Sequence, residues 1–296
     1  MPLIWNSALG LLLVTGCFLG LSLPFGKLAT DAGVPAMLWS FVISAGAGGV
    51  LFVALCAMRQ RLTVTAHALR YYFIAAAVSY AIPNLLMFSA MPHLGAGYTG
   101  IMFTLSPVIT LVMSILLRVR RPNLLGIAGI GVGFVGAVMV ATTRGEAGQP
   151  ADLFWVAMGL LIPVSLATGN IYRTFDWPQG VGPIELASGS HLASALMLLV
   201  GILSLHGGEA FALLGAVPWL ALAQVASASL MFVFFFRLQA VGGPVYLSQI
   251  GYVAAAIGLL AGTFFLHETY AALTWAGAAI IVVGVFMTTK AQSRPG

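Results

Sequence analysis

Residues 40–55 read SFVISAGAGGVLFVAL, and residues 188–203 read SGSHLASALMLLVGIL. Ser40, Ala45, Ala47, Leu51 and Leu55 fall on Ser188, Ala193, Ala195, Leu199 and Leu203 at a constant shift of 148. Working outward, the same register carries Gly95 and Tyr98 onto Gly243 and Tyr246. It also carries Ala128, Gly129, Gly136 and Met139 onto Ala276, Gly277, Gly284 and Met287. One more residue of shift puts Ala8, Gly10, Leu11 and Leu12 on Ala157, Gly159, Leu160 and Leu161. Duplicated apolar halves mark membrane transporters, in which one half moves against the other around a shared site.

Composition sets the solvent. The chain is 60% hydrophobic and 6% charged, with a mean hydropathy of +1.05, against about 25% charge in water-soluble domains. A helix must carry about 20 apolar residues to cross roughly 30 Å of hydrocarbon. The apolar segments run Ser7–Lys27, Pro35–Met58, Arg70–Met91, Gly95–Leu117, Pro122–Thr142, Asp152–Tyr172, Pro183–Leu205, Leu214–Arg237, Gly243–His267 and Ala271–Thr289. That predicts an all-α integral membrane protein of ten spans. Residues 1–148 and 149–296 make two five-helix repeats of one integrated domain. Little lies outside the spans, and the first, with no basic leader, reads as a retained helix. Cys17 and Cys56 read as small buried hydrophobes with no metal spacing.

Charge sets the orientation. Ten spans put both termini on one side, together with ten of the 12 cations; Lys27 and Arg144 alone fall opposite. The positive-inside rule makes that side cytoplasmic. Because five is odd, the second repeat enters from the opposite face, so the repeats are inverted. The net charge of +5 is a topology signal spread over short loops and predicts no nucleic-acid partner. Trp5, Trp39, Trp155, Trp219 and Trp275 stand near span starts and read as interfacial anchors.

The spans contain no deep carboxylate, and His191 is the one titratable group well inside. Pro24, Pro83, Pro107 and Pro163 interrupt apolar runs, and each withholds a hydrogen bond from the carbonyl four residues back. In lipid such carbonyls must face protein or a wet cavity. Polar side chains cluster on the same spans: Tyr80, Asn84 and Met87; Tyr98 and Met102; Pro163 and Asn170; Gln224, Ser227 and Met231; Tyr246 and Gln249. Together they describe a central cavity lined by amides, hydroxyls, aromatics and thioethers, with no fixed charge. For any one of them, glue between helices explains the residue as well. Gly16 and Gly20, Gly129 and Gly133, and Gly258 and Gly262 stand four apart, the spacing for close helix approach, including contact between subunits for the fifth and tenth spans. Tyr98 and Tyr246 lie at equivalent depths near opposite faces, as outer and inner gates would; paired interfacial anchors would sit there too.

An enzyme is the competing class. Hydrolysis needs a nucleophile–base pair or metal ligands. His267-Glu268 lacks the second histidine of a metal motif, and no phosphate-binding Gly-x-x-x-x-Gly-Lys-Ser/Thr loop exists. No enzyme activity and no cofactor are expected.

Phe25-Gly26-Lys27 closing the first span, Leu124…Gly129…Gly136 in the fifth, and His267-Glu268 with Gly277 and Gly284 around the tenth carry a resemblance. The chain resembles the EamA-type drug/metabolite transporter superfamily, most of all bacterial YddG-type amino-acid exporters. It departs at Arg120, where many members carry the acid that Glu268 supplies in the second repeat. The resemblance implies a secondary transporter exporting aromatic and other neutral amino acids across a bacterial inner membrane, as a monomer or homodimer. It places the cavity between spans 1, 3, 4, 6, 8 and 9. A multidrug exporter of the same fold is the alternative.

Overall fold

The computed structural model describes residues 5–119, 124–142, 153–265 and 271–292. Side chains at 95–98, 101, 137, 140–142, 262, 265, 289 and 292 are outside the description. Arg120, His267 and Glu268 therefore lie outside the described residues, and so does the Tyr98 side chain.

Every regular element described is helical. We number the α-helices α1 (Ala8–Asp31), α2 (Ala36–Ala57), α3 (Ala66–Ala76), α4 (Ile82–Met102), α5 (Ser106–Leu116) and α6 (Leu124–Thr142). Then follow α7 (Leu153–Phe175), α8 (Pro183–Leu205), α9 (Pro218–Ser248), α10 (Ile250–Phe265) and α11 (Ala272–Gln292). Six stretches are long and apolar enough to cross a membrane: α1, α2, Ala66–Leu94, α7, α8 and α9. Four shorter apolar helices accompany them, Phe103–Leu116, Leu124–Gly136, Ile250–Ala261 and Ala272–Thr288. The outward faces are as apolar as the core: Val53, Leu124, Phe264 and Phe286 are 66%, 84%, 71% and 66% exposed. A helix that is hydrophobic all round suits lipid.

The prolines shape the third and fourth predicted spans. Pro83 donates nothing to Ser79, and the chain widens there into a π-helical turn over Ala77–Ala81. Ser165 of α7 donates to the Val78 carbonyl at 2.7 Å, so backbone in the turn is satisfied from a neighbour. Pro107 opens α5 after a 3₁₀ turn at Phe103–Leu105. Helix α4 runs through the boundary expected between Met91 and Gly95, and the interruption falls at that turn instead. In α9, Gly243 is non-helical (φ 72°, ψ −180°), a left-handed φ that glycine adopts without penalty.

Small residues set the packing. Helix α2 lies on α8 with Ser44 and Ser194 hydroxyls 3.0 Å apart and Ser188 donating to the Gly48 carbonyl at 3.2 Å. Helix α6 lies on α11 along Gly129, Gly136 and Gly284, so these glycines join two helices of one chain. Helix α1 packs on α9 and α10, with Gly16 and Gly20 against Val253 and Ile257; α4 packs on α7. Trp39 is fully buried, a core residue and not the expected interfacial anchor, whereas Trp219 is 81% exposed. Cys17 is half-buried, but Cys56 is exposed on the outward face of α2, contrary to the buried reading.

Candidate functional site

A cavity opens where α1, α2, α4, α7, α9 and α10 converge. Its volume is about 70 Å³, several times the roughly 10–15 Å³ that one water needs on the same measure. The π-turn aims Ser79 and Tyr80 into it, and the following turns add Pro83, Asn84 and Met87. Helix α7 supplies Leu166, Asn170 and Arg173 at three- and four-residue spacing, hence from one face. Helix α9 supplies Ala228, Met231, Phe232 and Phe235 in the same way. Leu19 and Ser22 of α1 and Ile43 of α2 complete this part of the wall. At the far end, Phe103 and Ser106 meet Ser248, Ile250 and Gly251, the last so close that a Cβ there would sit 2.6 Å from the Phe103 carbonyl oxygen.

Of the ten residues singled out from sequence, Tyr80, Asn84 and Asn170 line this cavity. Six others are placed elsewhere, and the Tyr98 side chain lies outside the described residues. Gln224 is fully buried behind the wall and donates to Ser22 Oγ at 3.1 Å; Ser227 donates to the Phe18 carbonyl at 3.4 Å. Gln249 accepts a hydrogen bond from Thr288 of α11. These three polar groups hold helices together because a buried amide or hydroxyl bonds whatever lies nearest. Met102 is buried near Gly159 of α7, Pro163 is inside α7, and Tyr246 is fully buried against Gly242. None of these three is on the wall.

The expectation of a lining without fixed charge is overturned by Arg173. Hydropathy ends the sixth span at Tyr172, but α7 continues to Phe175. That extra turn draws Arg173 inward on the face of Asn170, to 1% exposure. Its guanidinium donates to Ser79 Oγ, to Asn170 Oδ1 at 2.6 Å and to Gln239 Oε1 at 3.3 Å. It lies 4.9 Å from the Phe235 ring centre. A Cβ at Gly169 would collide with Ser79 Oγ, so glycine there lets the π-turn and α7 meet. An arginine within a span costs about 2.5–3.5 kcal/mol on insertion scales and by default marks a functional site. The signal available in sequence was the spacing from Asn170 to Arg173.

His191, the other titratable group inside, is fully buried between Tyr80 (ring centres 4.1 Å) and Phe232 (3.8 Å). Neither ring nitrogen has a partner among the described residues, which makes it a packing element of the wall behind Tyr80.

Just beyond the end of α7, Asp176 ties α7 to the start of α3. Its carboxylate accepts from Tyr172 at 2.6 Å, Arg70 at 2.7 Å and His67 at 3.0 Å. Partial burial works to raise its pKa, but the three hydrogen bonds and the Arg70 charge outweigh it and hold the carboxyl below its ordinary value. A depressed folded-state value gives stability that is present above the unfolded pKa, about 3.9, and is lost as pH falls through the lowered value. Thermal unfolding in detergent should therefore show a wild-type loss of stability below about pH 4. Asp176→Asn should start less stable at pH 7 and lose that acid slope; an identical slope in both proteins would contradict the assignment.

Comparison with known proteins adds a likeness to a family. Residues 6–142 match the EamA-like transporter family. That match lies within the first half of the chain. An uncharacterized transporter of Archaeoglobus fulgidus is 24% identical over 204 residues, 67% of this chain and 69% of that one. A protein of known crystal structure superposes with a TM-score of 0.71 at 19% identity, covering 95% of this chain and 96% of the other, which is a likeness of fold. The EamA-like match and the relative both carry the name of transporter, and six stretches of this chain are long and apolar enough to cross a membrane.

Proposed function

We propose that this EamA-like protein is a secondary transporter working by alternating access between two inverted five-helix halves, residues 1–148 and 149–296. Helix pairing supports the reading. Helices α2 and α8, and α6 and α11, are counterparts under the 148-residue shift, and each pairs with its own counterpart. The contact of α1 with α10 is mirrored by that of α7 with α5, and the contact of α1 with α9 by that of α7 with α4. Phe103 and Gly251, also 148 apart, meet at the cavity. The cavity at the junction of the halves is the observation that carries the proposal, since transporter sites lie at repeat interfaces.

The substrates we assign are small metabolites with an apolar or aromatic body, neutral amino acids foremost. Tyr80, Met87, Met231, Phe232 and Phe235 offer that body its contacts. Cation bias supports cytoplasmic termini, and the family resemblance supports a bacterial inner membrane and export as the direction. Tyr98 and Tyr246 are proposed as outer and inner gates. No partner beyond substrate and lipid is required, as monomer or homodimer.

Counterflow in proteoliposomes, with a panel of labelled neutral amino acids and with or without a pH gradient, tests this. Uptake above empty liposomes is expected, lowered by Tyr98→Ala and by Tyr246→Ala in folded protein. No amino-acid uptake removes the substrate assignment, and drug uptake in its place makes this a multidrug exporter. Unchanged rates in both tyrosine variants remove the gates.

A further inference from the structure

Arg173 stands in the cavity wall with no carboxylate facing it. Among the described residues, Asp31 pairs with Lys27, Asp176 pairs with His67 and Arg70, and Glu185 accepts from the Thr63 backbone N–H; no ion pair includes Arg173. Its three hydrogen-bond partners are a hydroxyl and two amide oxygens. These satisfy donors but leave a whole positive charge in a low-dielectric interior, the costly arrangement that a counter-ion relieves. A guanidinium has five N–H donors. Three are used, and Nε is buried without a partner. Two donors are thus unused, Nε–H and one N–H of Nη1, and either can give a carboxylate oxygen a charge-assisted hydrogen bond.

We propose that Arg173 is the recognition site for the carboxylate of a monoanionic organic substrate with an apolar body, and that the substrate needs no amino group. This rests on reading the cavity as the transport path. The charge count decides the class. No described residue of the wall is acidic, so a monocarboxylate bound at Arg173 leaves the site neutral. A zwitterion bound through its carboxylate leaves its ammonium as an unpaired positive charge, and a dicarboxylate leaves an unpaired anion. The rings and thioethers beyond Arg173 offer no second charge, and Phe235 lies against the guanidinium, shielding the pair from water. Neutral amino acids then bind through the same carboxylate, and their amine contributes nothing to affinity.

The experiment is ligand binding by purified protein in detergent, read as thermal stabilisation against concentration. The ligands are 3-phenylpropionate, phenylalanine and the uncharged 3-phenylpropionamide. We expect 3-phenylpropionate to bind at least as tightly as phenylalanine, and the amide at least tenfold more weakly than the acid. Arg173→Gln should abolish the preference of acid over amide, and Arg173→Lys should keep part of it. The acid–amide comparison in the wild type stands even if Arg173→Gln does not fold. Equal binding of acid and amide overturns the proposal, as does a folded Arg173→Gln protein with wild-type preference, which would make Arg173 a structural tie between α7 and α9. Failure to bind the acid, in a protein whose counterflow of another solute is stopped by filling the cavity, overturns this proposal and leaves the transport reading intact. If filling the cavity does not stop counterflow, the transport reading fails, and this proposal fails with it.

Discussion

Gly284→Leu is expected to destabilise the protein by about 3 kcal/mol, the upper end of the usual cost of overpacking. A Cβ at Gly284 would lie 2.5 Å from the Gly133 amide nitrogen and 2.6 Å from the Gly129 carbonyl oxygen. Both obstacles are backbone, so no rotamer change can make room, and α6 and α11 must move apart as whole helices. Separation would also draw apart the contacts at Gly129 and Gly136, which depend on the same approach. A loss of this size is a large part of the 5–15 kcal/mol that holds a typical protein folded. The control is Gly131→Leu, two residues from Gly133 in sequence, where a Cβ would meet nothing within 4 Å. Heating followed by size-exclusion chromatography should show the Gly284 variant aggregating many degrees below wild type, with the Gly131 variant close to wild type. Equal stability of the two variants would contradict the packing described for this helix pair.

Much of this architecture is legible in the sequence because lipid imposes simple rules. Segment lengths come from counting apolar runs, and the spacing of Gly16 and Gly20 and of Gly129 and Gly133 marks helix contacts that form. The boundaries around Pro83 and Pro107 are less legible. A proline says that a carbonyl is released, but whether the chain answers with a π-turn or a 3₁₀ turn depends on what packs beside it. At Val78 that neighbour is Ser165, far away in sequence.

The site divides similarly. Tyr80, Asn84 and Asn170 share faces with prolines or with each other, and that face turns to the cavity. Gln224, Ser227 and Gln249 satisfy the same criterion but bond to Ser22, to the Phe18 carbonyl and to Thr288. Helical spacing cannot separate a polar group that faces a cavity from one that faces the next helix. Arg173 escapes a hydropathy reading for the opposite reason: its charge marks it as the start of a loop, although the hydrogen bonds it donates to Ser79, Asn170 and Gln239 hold it inside.

Filling the cavity should stop transport. Ala228 is a small residue of the α9 wall, 1% exposed. A tryptophan there adds an indole to a space that accommodates only a few water-sized volumes, about 70 Å³. Asn84 on α4 offers a second position on a different helix, and it is only half-buried, so Asn84→Trp places less strain on the fold. Size-exclusion profiles and melting temperatures identify the folded variants before transport is measured. The decisive measurement is solute counterflow in proteoliposomes containing equal amounts of wild-type, Ala228→Trp or Asn84→Trp protein. Wild type should exchange solute above the empty-liposome background, and the folded tryptophan variants should exchange it at least tenfold more slowly. Wild-type rates in both folded variants would contradict the claim that solute crosses through the space where the two halves meet.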